Sequence, residues 1–363
     1  MTKISEIGEF GLIHEIKQIV DKNYQNYPYL QCGIGDDCAV IDGGNGVSQV
    51  ITTDLLVEQI HFDLLTTPVS HLGYKSVSVN VSDIYAMNAV PKYATVSIGV
   101  SESISVEMIK EFYQGVFRAS RGFSVPIVGG DTSASIAGFL ISITVVGEQK
   151  SELVSYRNGT KEGDVLCVTG DLGRAYAGLK ILMRERLQML EDIKENNQNY
   201  HPVFEDYKTV IQKHLLPKAR KDIIEEFAKY GIKPTSMIDI SDGLASEIKH
   251  LCRNSNVGVL IHEIKIPVIN DTKLIADLFA DDTTTYALFG GEDYELLFTV
   301  GKDMISKIEL MEDITIIGEI KSKEFGVKML SLEHEYVDLL QRSGFDHFKS
   351  GTSNQKNNLD NED

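Results

Sequence analysis

Basic residues are scarce in this chain: 35 lysines and arginines stand against 53 aspartates and glutamates, a formal charge of −18 over 363 residues. That balance repels nucleic acid and anionic membranes. It repels an anionic substrate too, unless cations bridge it to the protein. No apolar run reaches membrane-spanning length, and the start Met-Thr-Lys-Ile-Ser-Glu-Ile lacks the charged-then-apolar order of a signal peptide. A cytosolic protein is therefore expected. Cysteine is sparse as well: Cys32, Cys38, Cys167 and Cys252 form no Cys-x-x-Cys pair, which leaves no zinc site or disulfide framework and reads as small buried thiols. Also missing are a Gly-x-x-x-x-Gly-Lys-Ser/Thr loop and the His-Arg-Asp and Asp-Phe-Gly set of protein kinases. If the chain uses ATP, it does so by another route.

Lysine and arginine are absent from six short acidic windows, and this local absence is the most informative one. The windows are Gly33-Ile-Gly-Asp-Asp-Cys-Ala-Val-Ile-Asp42, Thr52-Thr-Asp54, Asn80-Val-Ser-Asp83, Gly129-Gly-Asp-Thr132, Ile238-Asp-Ile-Ser-Asp-Gly243 and Gly290-Gly-Glu-Asp-Tyr-Glu295. A single such window reads equally well as a solvated face; together they suggest metal ions rather than salt bridges. Asp83 shares the helical stripe of Leu72, Val79, Ala86 and Val90 and so should face inward. A buried lone carboxylate is expensive unless paired, and the nearest basic residues, Lys75 and Lys92, lie eight or more positions away. A metal ion, or a cation from elsewhere in the fold, would meet that need. Asp54 follows two threonines whose hydroxyls are further hard oxygen ligands of the kind Mg²⁺ favours. Two unit charges about 5 Å apart repel by roughly 3 kcal/mol at an effective dielectric of about 20. Several carboxylates and a polyphosphate could share a cleft only with divalent ions between them.

The length predicts two domains of roughly 150 to 200 residues each. Strands are expected over 49–57, 93–100, 125–128 and 139–146, with helices over 68–89 and 106–122, an α/β sandwich covering residues 1–150. The turn-rich stretch 155–164 marks the boundary. A second α/β domain over 151–349 is read with strands at 165–169, 236–240, 257–261 and 294–300. Its helices are placed from about Gly173 to Leu187, up to Tyr230, and from Asp242. Residues 188–208, charged and Asn-rich, read as an insertion or mobile loop, and the polar tail 350–363 as disordered.

Together with Glu9-Phe10 and His61-Phe62, these motifs occur in an order that closely resembles thiamine-monophosphate kinase, a member of the aminoimidazole ribonucleotide synthetase superfamily. The resemblance spans about Gly8 to Phe348. It implies transfer of the γ-phosphoryl group of ATP to thiamine monophosphate with Mg²⁺, giving thiamine diphosphate. It also implies a two-domain α/β fold whose N-terminal sheet forms a dimer sheet or barrel in a homodimer, with no nucleic-acid or membrane partner. Carried over by position, Asp37, Thr52, Thr53, Asp54, Asp83, Asp131 and Asp239 resemble magnesium ligands and Asp242 a further metal position. Gly130, Asp131, Arg157, Ser241 and, by a looser match, Tyr113 resemble nucleotide contacts. His61, Glu292 and Phe345 fall where the family holds thiamine phosphate, Phe345 in place of the more usual Trp or Tyr. Taken alone, His61 also reads as an ordinary histidine, and Arg157 as a residue that pins a turn.

The implied chemistry needs no protein nucleophile or base, because the acceptor is already a phosphate oxygen. In-line positioning and charge neutralisation suffice. Within the superfamily, selenophosphate synthetase would want a reactive Cys near its N-terminus, whereas the first here is Cys32, and the hydrogenase-maturation relative would end in a functional cysteine, whereas this chain ends Asn-Glu-Asp. A non-catalytic cation-binding protein is the remaining rival. The segment 36–45, however, lacks the Asp-x-Asp-x-Asp-Gly spacing of a calcium loop.

Overall fold

The computed structural model describes residues 3–24, 27–195 and 200–341. After a helix α1 (Ile4–Asn23), strands β1 (Leu30–Cys32), β2 (Ala39–Asp42), β3 (Val47–Val57), β4 (Val90–Val100), β5 (Ile127–Ala134) and β6 (Leu140–Lys150) form one sheet, in the order β1-β2-β3-β6-β4-β5. Period-two alternation fixes its faces. On β6, Ile141, Ile143 and Val145 are buried while Ser142 and Thr144 point the other way. Helices α2 (Val69–Ala86) and α3 (Val106–Phe123) cover the apolar face. β4 and β5 pair in parallel, as the crossover through α3 requires.

Two glycines let these helices touch. A Cβ on Gly73 would fall 2.0 Å from the Phe112 carbonyl oxygen, and one on Gly115 would fall 1.8 Å from that of Ser70. Backbone therefore lies against backbone, and α2 is buried on nearly every side. Its polar residues are consequently forced to find partners inside the protein.

The second sheet takes β7 (Val165–Thr169), β8 (Ser236–Asp239), β9 (Gly258–His262), β10 (Leu296–Val300), β11 (Ile314–Lys321), β12 (Val327–Leu330) and β13 (Tyr336–Asp338), in the order β13-β12-β9-β11-β7-β10-β8. With it go helices α4 (Arg174–Lys194), α5 (Lys208–Leu215), α6 (Lys221–Tyr230), α7 (Leu244–Ser255), α8 (Asn270–Leu278), α9 (Thr283–Phe289) and α10 (Ile305–Ile308). Leu166, Val168, Ile238 and Leu297 pack with the α7 and α9 residues Leu244, Ile248 and Leu288. Cys167, Met237 and Phe298 pack with Ile223 and Phe227 of α6, in an apolar cluster that runs on without a break to Ile84, Val96 and Phe112 of the first half. The two sheets thus share a core, and α2 lies on the seam beside the fully buried edge strand β8.

Several expectations are corrected. Residues 188–208 are not simply a loop: α4 continues to Lys194, and Glu185 accepts hydrogen bonds from the Tyr200 hydroxyl and, at 2.9 Å, from the Val203 N–H. Glu191 and Lys194 are on the solvent side of that helix. The helix ending at Tyr230 is two, α5 and α6, divided around Pro217. Gly129–Thr132 lies within β5, which runs on past the strand expected over 125–128. Val90 begins β4 and is exposed, so it leaves the stripe that Leu72 and Val79 keep. The two-sheet α/β architecture is as expected, and within one chain the first sheet is open. Among the described residues no helix is long and apolar enough to cross a membrane. Phe345 and the tail 350–363 lie outside the described residues.

Candidate active site

Three carboxylates converge on the seam. Asp37 comes from the loop before β2, Asp83 from the last turn of α2 and Asp239 from the end of β8, and one oxygen of each lies within 4.8 Å of the others. Asp54, on β3, belongs to the same electrostatic group. Each is held by a neighbour. Thr52 donates its hydroxyl to Asp83 Oδ2 at 2.5 Å, Ser82 donates to Asp239 Oδ2 at 2.6 Å, and Asn80 Oδ1 accepts the Asp54 N–H at 2.9 Å. The alternation of polar Asn80, Ser82 and Asp83 with Val79 and Val81 on a buried helix thus becomes a set of brackets.

Among the described residues the charges are only partly balanced. Among the described residues, the ion pairs to Asp36 and Asp37 come from Arg157, whose Nη2 lies 2.6 Å from Asp37 Oδ1. Burial, then Asp37, pushes Asp54 up to about 6 and Asp239 up to about 8. Asp36 rises to about 7 for the same two reasons. Burial, followed by Asp54, Asp239 and Asp37, drives Asp83 well above the carboxylate range. Asp37 Oδ2 is buried and has no hydrogen-bond partner among the described residues. A clustered set of hard oxygens with one orphaned acceptor fits a divalent cation such as Mg²⁺.

The Ile238–Gly243 turn is stitched to the Gly290–Glu295 segment. The Ile240 N–H donates to the Glu295 carbonyl (2.8 Å), that of Tyr294 to the Ile240 carbonyl (2.9 Å), and that of Glu292 to the Ser241 carbonyl (2.7 Å). Gly291 permits this approach: its φ is +71°, and a Cβ there would lie 2.5 Å from Ser241 O. Contrary to the metal reading of this window, its two glutamates form salt bridges, while Asp293 accepts the Gly173 and Ala175 N–H groups. Glu292 Oε1 is 2.8 Å from Lys75 Nζ and Oε2 is 3.0 Å from His214 Nδ1. Glu295 is bound by Lys213 at 2.5 Å, by Arg220 at 2.6 Å and by Thr169 at 2.7 Å. Absence of local lysine did not mean absence of lysine.

The first half matches a family described as AIR synthase related protein, N-terminal domain, over residues 35–149. The chain is 36% identical to the thiamine-monophosphate kinase of Aquifex aeolicus over 322 residues, which is 89% of this chain and 94% of that protein. It is 30% identical to the Bacillus subtilis thiamine-monophosphate kinase over 94% of this chain and the whole of the other. The chain belongs to the thiamine-monophosphate kinase family. Its fold superposes on the solved AaThiL complexed with AMPPCP and TMP with a TM-score of 0.77 at 33% identity, covering 96% of this chain and 99% of that one.

Positions carried over from thiamine-monophosphate kinases do not all meet at the seam. Thr52 and Asp54 face α2, but Thr53 points to the opposite sheet face, with its hydroxyl 3.1 Å from that of Thr144. Gly130 shares the cross-strand row of Asp54, through Ile143 and Val96. Asp131 falls in the next row, with Leu55, Ser142 and Ser97, exposed and on the face away from Asp54. Asp242 stands outside the group of three, its N–H bonded to Glu247 Oε1 at 3.0 Å. Tyr113 packs on Phe112 and Phe117 of α3. The ring Nδ1 of His61 accepts the Val57 N–H at 3.0 Å. Arg157 does pin a turn, through its own N–H to Asp36 as well as its guanidinium to Asp37. Lys75, His214, Asn80 and Ser82 carried no role in the motif reading; a polar residue amid Val77, Val79 and Val81 on a buried helix was the signal for the last two.

Proposed function

We propose that the seam between the two sheets is a cradle for Mg²⁺ and nucleotide, in which Asp37, Asp54, Asp83 and Asp239 hold the metal. The chain is a thiamine-phosphate kinase that uses ATP to phosphorylate thiamine monophosphate to thiamine diphosphate. One observation carries the activity: a relative alike over almost the whole of both chains binds AMPPCP and TMP together. In the reaction an oxygen of the acceptor phosphate attacks the γ-phosphorus of ATP, the bond from that phosphorus to the β,γ-bridging oxygen breaks, and ADP leaves. No proton must be abstracted, so no side chain serves as base. When bound, Mg²⁺ offsets the charge of the phosphates and of the carboxylates around them. The protein's own part is to fix those carboxylates, through Thr52, Asn80, Ser82 and Arg157, before substrate arrives. Gly130, Tyr113, Arg157 and Ser241 are assigned to the nucleotide, Thr52 and Asp242 to further metal positions, and His61, Glu292 and Phe345 to thiamine phosphate; Thr53 and Asp131, on the opposite sheet face, are assigned to metal and nucleotide from that side.

The acceptor chemistry sets the test. Purified chain with ATP and Mg²⁺ should release ADP when thiamine monophosphate is added and not when thiamine is added, with thiamine diphosphate as the matching product. Failure of thiamine monophosphate to stimulate ADP release in metal-replete protein would overturn the proposal.

A homodimer through the first sheet belongs to the same reading. Among the described residues the sheet face opposite α2 and α3 is uncovered, with Leu55 and Tyr93 exposed on it, and the edge strand β5 is exposed along nearly its whole length. Sedimentation at micromolar concentration should give twice the chain mass; a single-chain mass would count against it. The four cysteines are unpaired thiols, in keeping with the reducing cytosol where we place the enzyme.

A further inference from the structure

Lys75 is an unusual residue to find where it stands. It is 2% exposed on α2, among Leu72, Val77 and Val79, where an ammonium is costly unless paired. Its partner is Glu292, at 2.8 Å, and the second oxygen of that carboxylate is held by His214 of α5, itself buried, at 3.0 Å. Burial and the Lys75 ammonium both lower the proton affinity of His214, against the pull of Glu292. Burial would raise Glu292, but Lys75 and then His214 more than offset it and hold the carboxyl well below its usual range. The backbone restricts it further: Glu292 sits at φ +59°, left-handed for a non-glycine residue, with its N–H bonded to Ser241. Both side-chain partners are buried, yet the Glu292 side chain keeps 28% of its exposure.

The helix sets a distance. Lys75 and Asp83 are eight residues apart on α2, about 12 Å at 1.5 Å per residue. One helix therefore fixes both the carboxylate cluster, through Asn80, Ser82 and Asp83, and the Glu292 carboxylate, through Lys75. The two anchors stand two turns apart on one rigid element.

We propose that Lys75 and His214 are positioning residues for the acceptor: they lock Glu292 as an ionised, acceptor-only carboxylate that selects a substrate presenting a hydrogen-bond donor or a positive ring. Thiamine carries both, an exocyclic amine on its pyrimidine and a cationic thiazolium. The inference rests on the reading of Glu292 as a thiamine-phosphate contact. Removing Lys75 leaves the acceptor phosphate and ATP phosphates where they were, but frees Glu292 to turn or take a proton.

Steady-state kinetics with each substrate varied separately test this. Lys75→Met should raise KM for thiamine monophosphate tenfold or more while leaving KM for ATP within twofold, and His214→Gln, which keeps a donor, should have a smaller effect of the same kind. Should Lys75→Met fold poorly, the double variant Lys75→Met/Glu292→Gln removes both charges; it should be no worse in KM for thiamine monophosphate than Glu292→Gln alone, because both act through one carboxylate. Equal rises in both KM values for Lys75→Met, or a double variant whose defect is the product of the two single ones, would overturn the positioning role. An unchanged KM in Glu292→Gln would instead overturn the contact on which it rests.

Discussion

Asp239→Asn should cut turnover roughly 10²- to 10³-fold at saturating ATP and thiamine monophosphate, and should raise the melting temperature of the metal-free protein at pH 8. The substitution keeps shape. Asparagine Oδ1 can still accept from Ser82, which donates to Asp239 Oδ2 at 2.6 Å, and its amide can donate to the Asp37 or Asp83 carboxylate, both within 4.8 Å of Asp239. What is lost is one buried negative charge. Without a cation, burial and Asp37 outweigh what Ser82 and Arg157 return and push Asp239 up to about 8; removing the charge relieves that cost. With Mg²⁺ and ATP the same charge would serve as a ligand in the proposed cradle. Calorimetry and kinetics on one preparation decide it: near-native turnover, or a fall in melting temperature without metal, would contradict the assignment.

The second large effect is on stability against pH. An unfolded aspartate titrates near 3.9, whereas folding pushes Asp54 to about 6, Asp36 to about 7 and Asp239 to about 8. Between those limits the folded chain binds more protons than the unfolded one, so stability falls as pH rises. The stability these groups allow is fully present below about pH 4 and lost through pH 6 to 8, summing to several kcal/mol in metal-free protein. Mg²⁺ competes with those protons and binds only the folded state. At a hundred times its Kd an ion adds about 2.7 kcal/mol, and its effect should be larger at pH 8 than at pH 5.5. Asp293, pushed to about 7 by burial, adds the same slope with or without metal and cancels in the difference. Glu295, held down to about 2 by Lys213 and Arg220 against its burial, contributes stability that is lost only in acid. Thermal unfolding with Mg²⁺ and with chelator at the two pH values is the measurement; equal shifts at both, or none, would count against a carboxylate cradle.

The carboxylates that converge were legible because their windows are local: an acidic residue beside glycine, serine or threonine at a strand end survives any error in the surrounding elements. Asp83 was legible for a second reason, since the helical stripe of Leu72 and Val79 turned it inward. Partners from far along the chain were not. Lys75 was weighed only as too distant from Asp83, and nothing near Glu292 pointed to it or to His214. Salt bridges across a fold leave no local trace, which is why the Gly290–Glu295 window was misread as metal-binding in character. Helix ends failed where polarity was mistaken for a loop: Glu191 and Lys194, past Leu187, lie on the outside of α4. Gly129–Thr132 failed in the opposite sense, because two glycines and an aspartate have turn composition yet serve as an exposed edge strand. Thr53 and Asp131 show the limit of motif transfer, for strand alternation puts both on the face away from Asp54 within a single chain.

That Asp37, Asp83 and Asp239 hold the divalent ion on which the kinase reaction depends is tested most directly by Mn²⁺ titration at pH 8, followed by loss of the free-ion paramagnetic signal, on the native chain and on Asp239→Asn. The native chain should bind Mn²⁺ and turn over thiamine monophosphate with it, while Asp239→Asn should bind at least tenfold more weakly, in step with its lost turnover. Equal binding by the two proteins, with turnover lost in one, would contradict the cradle.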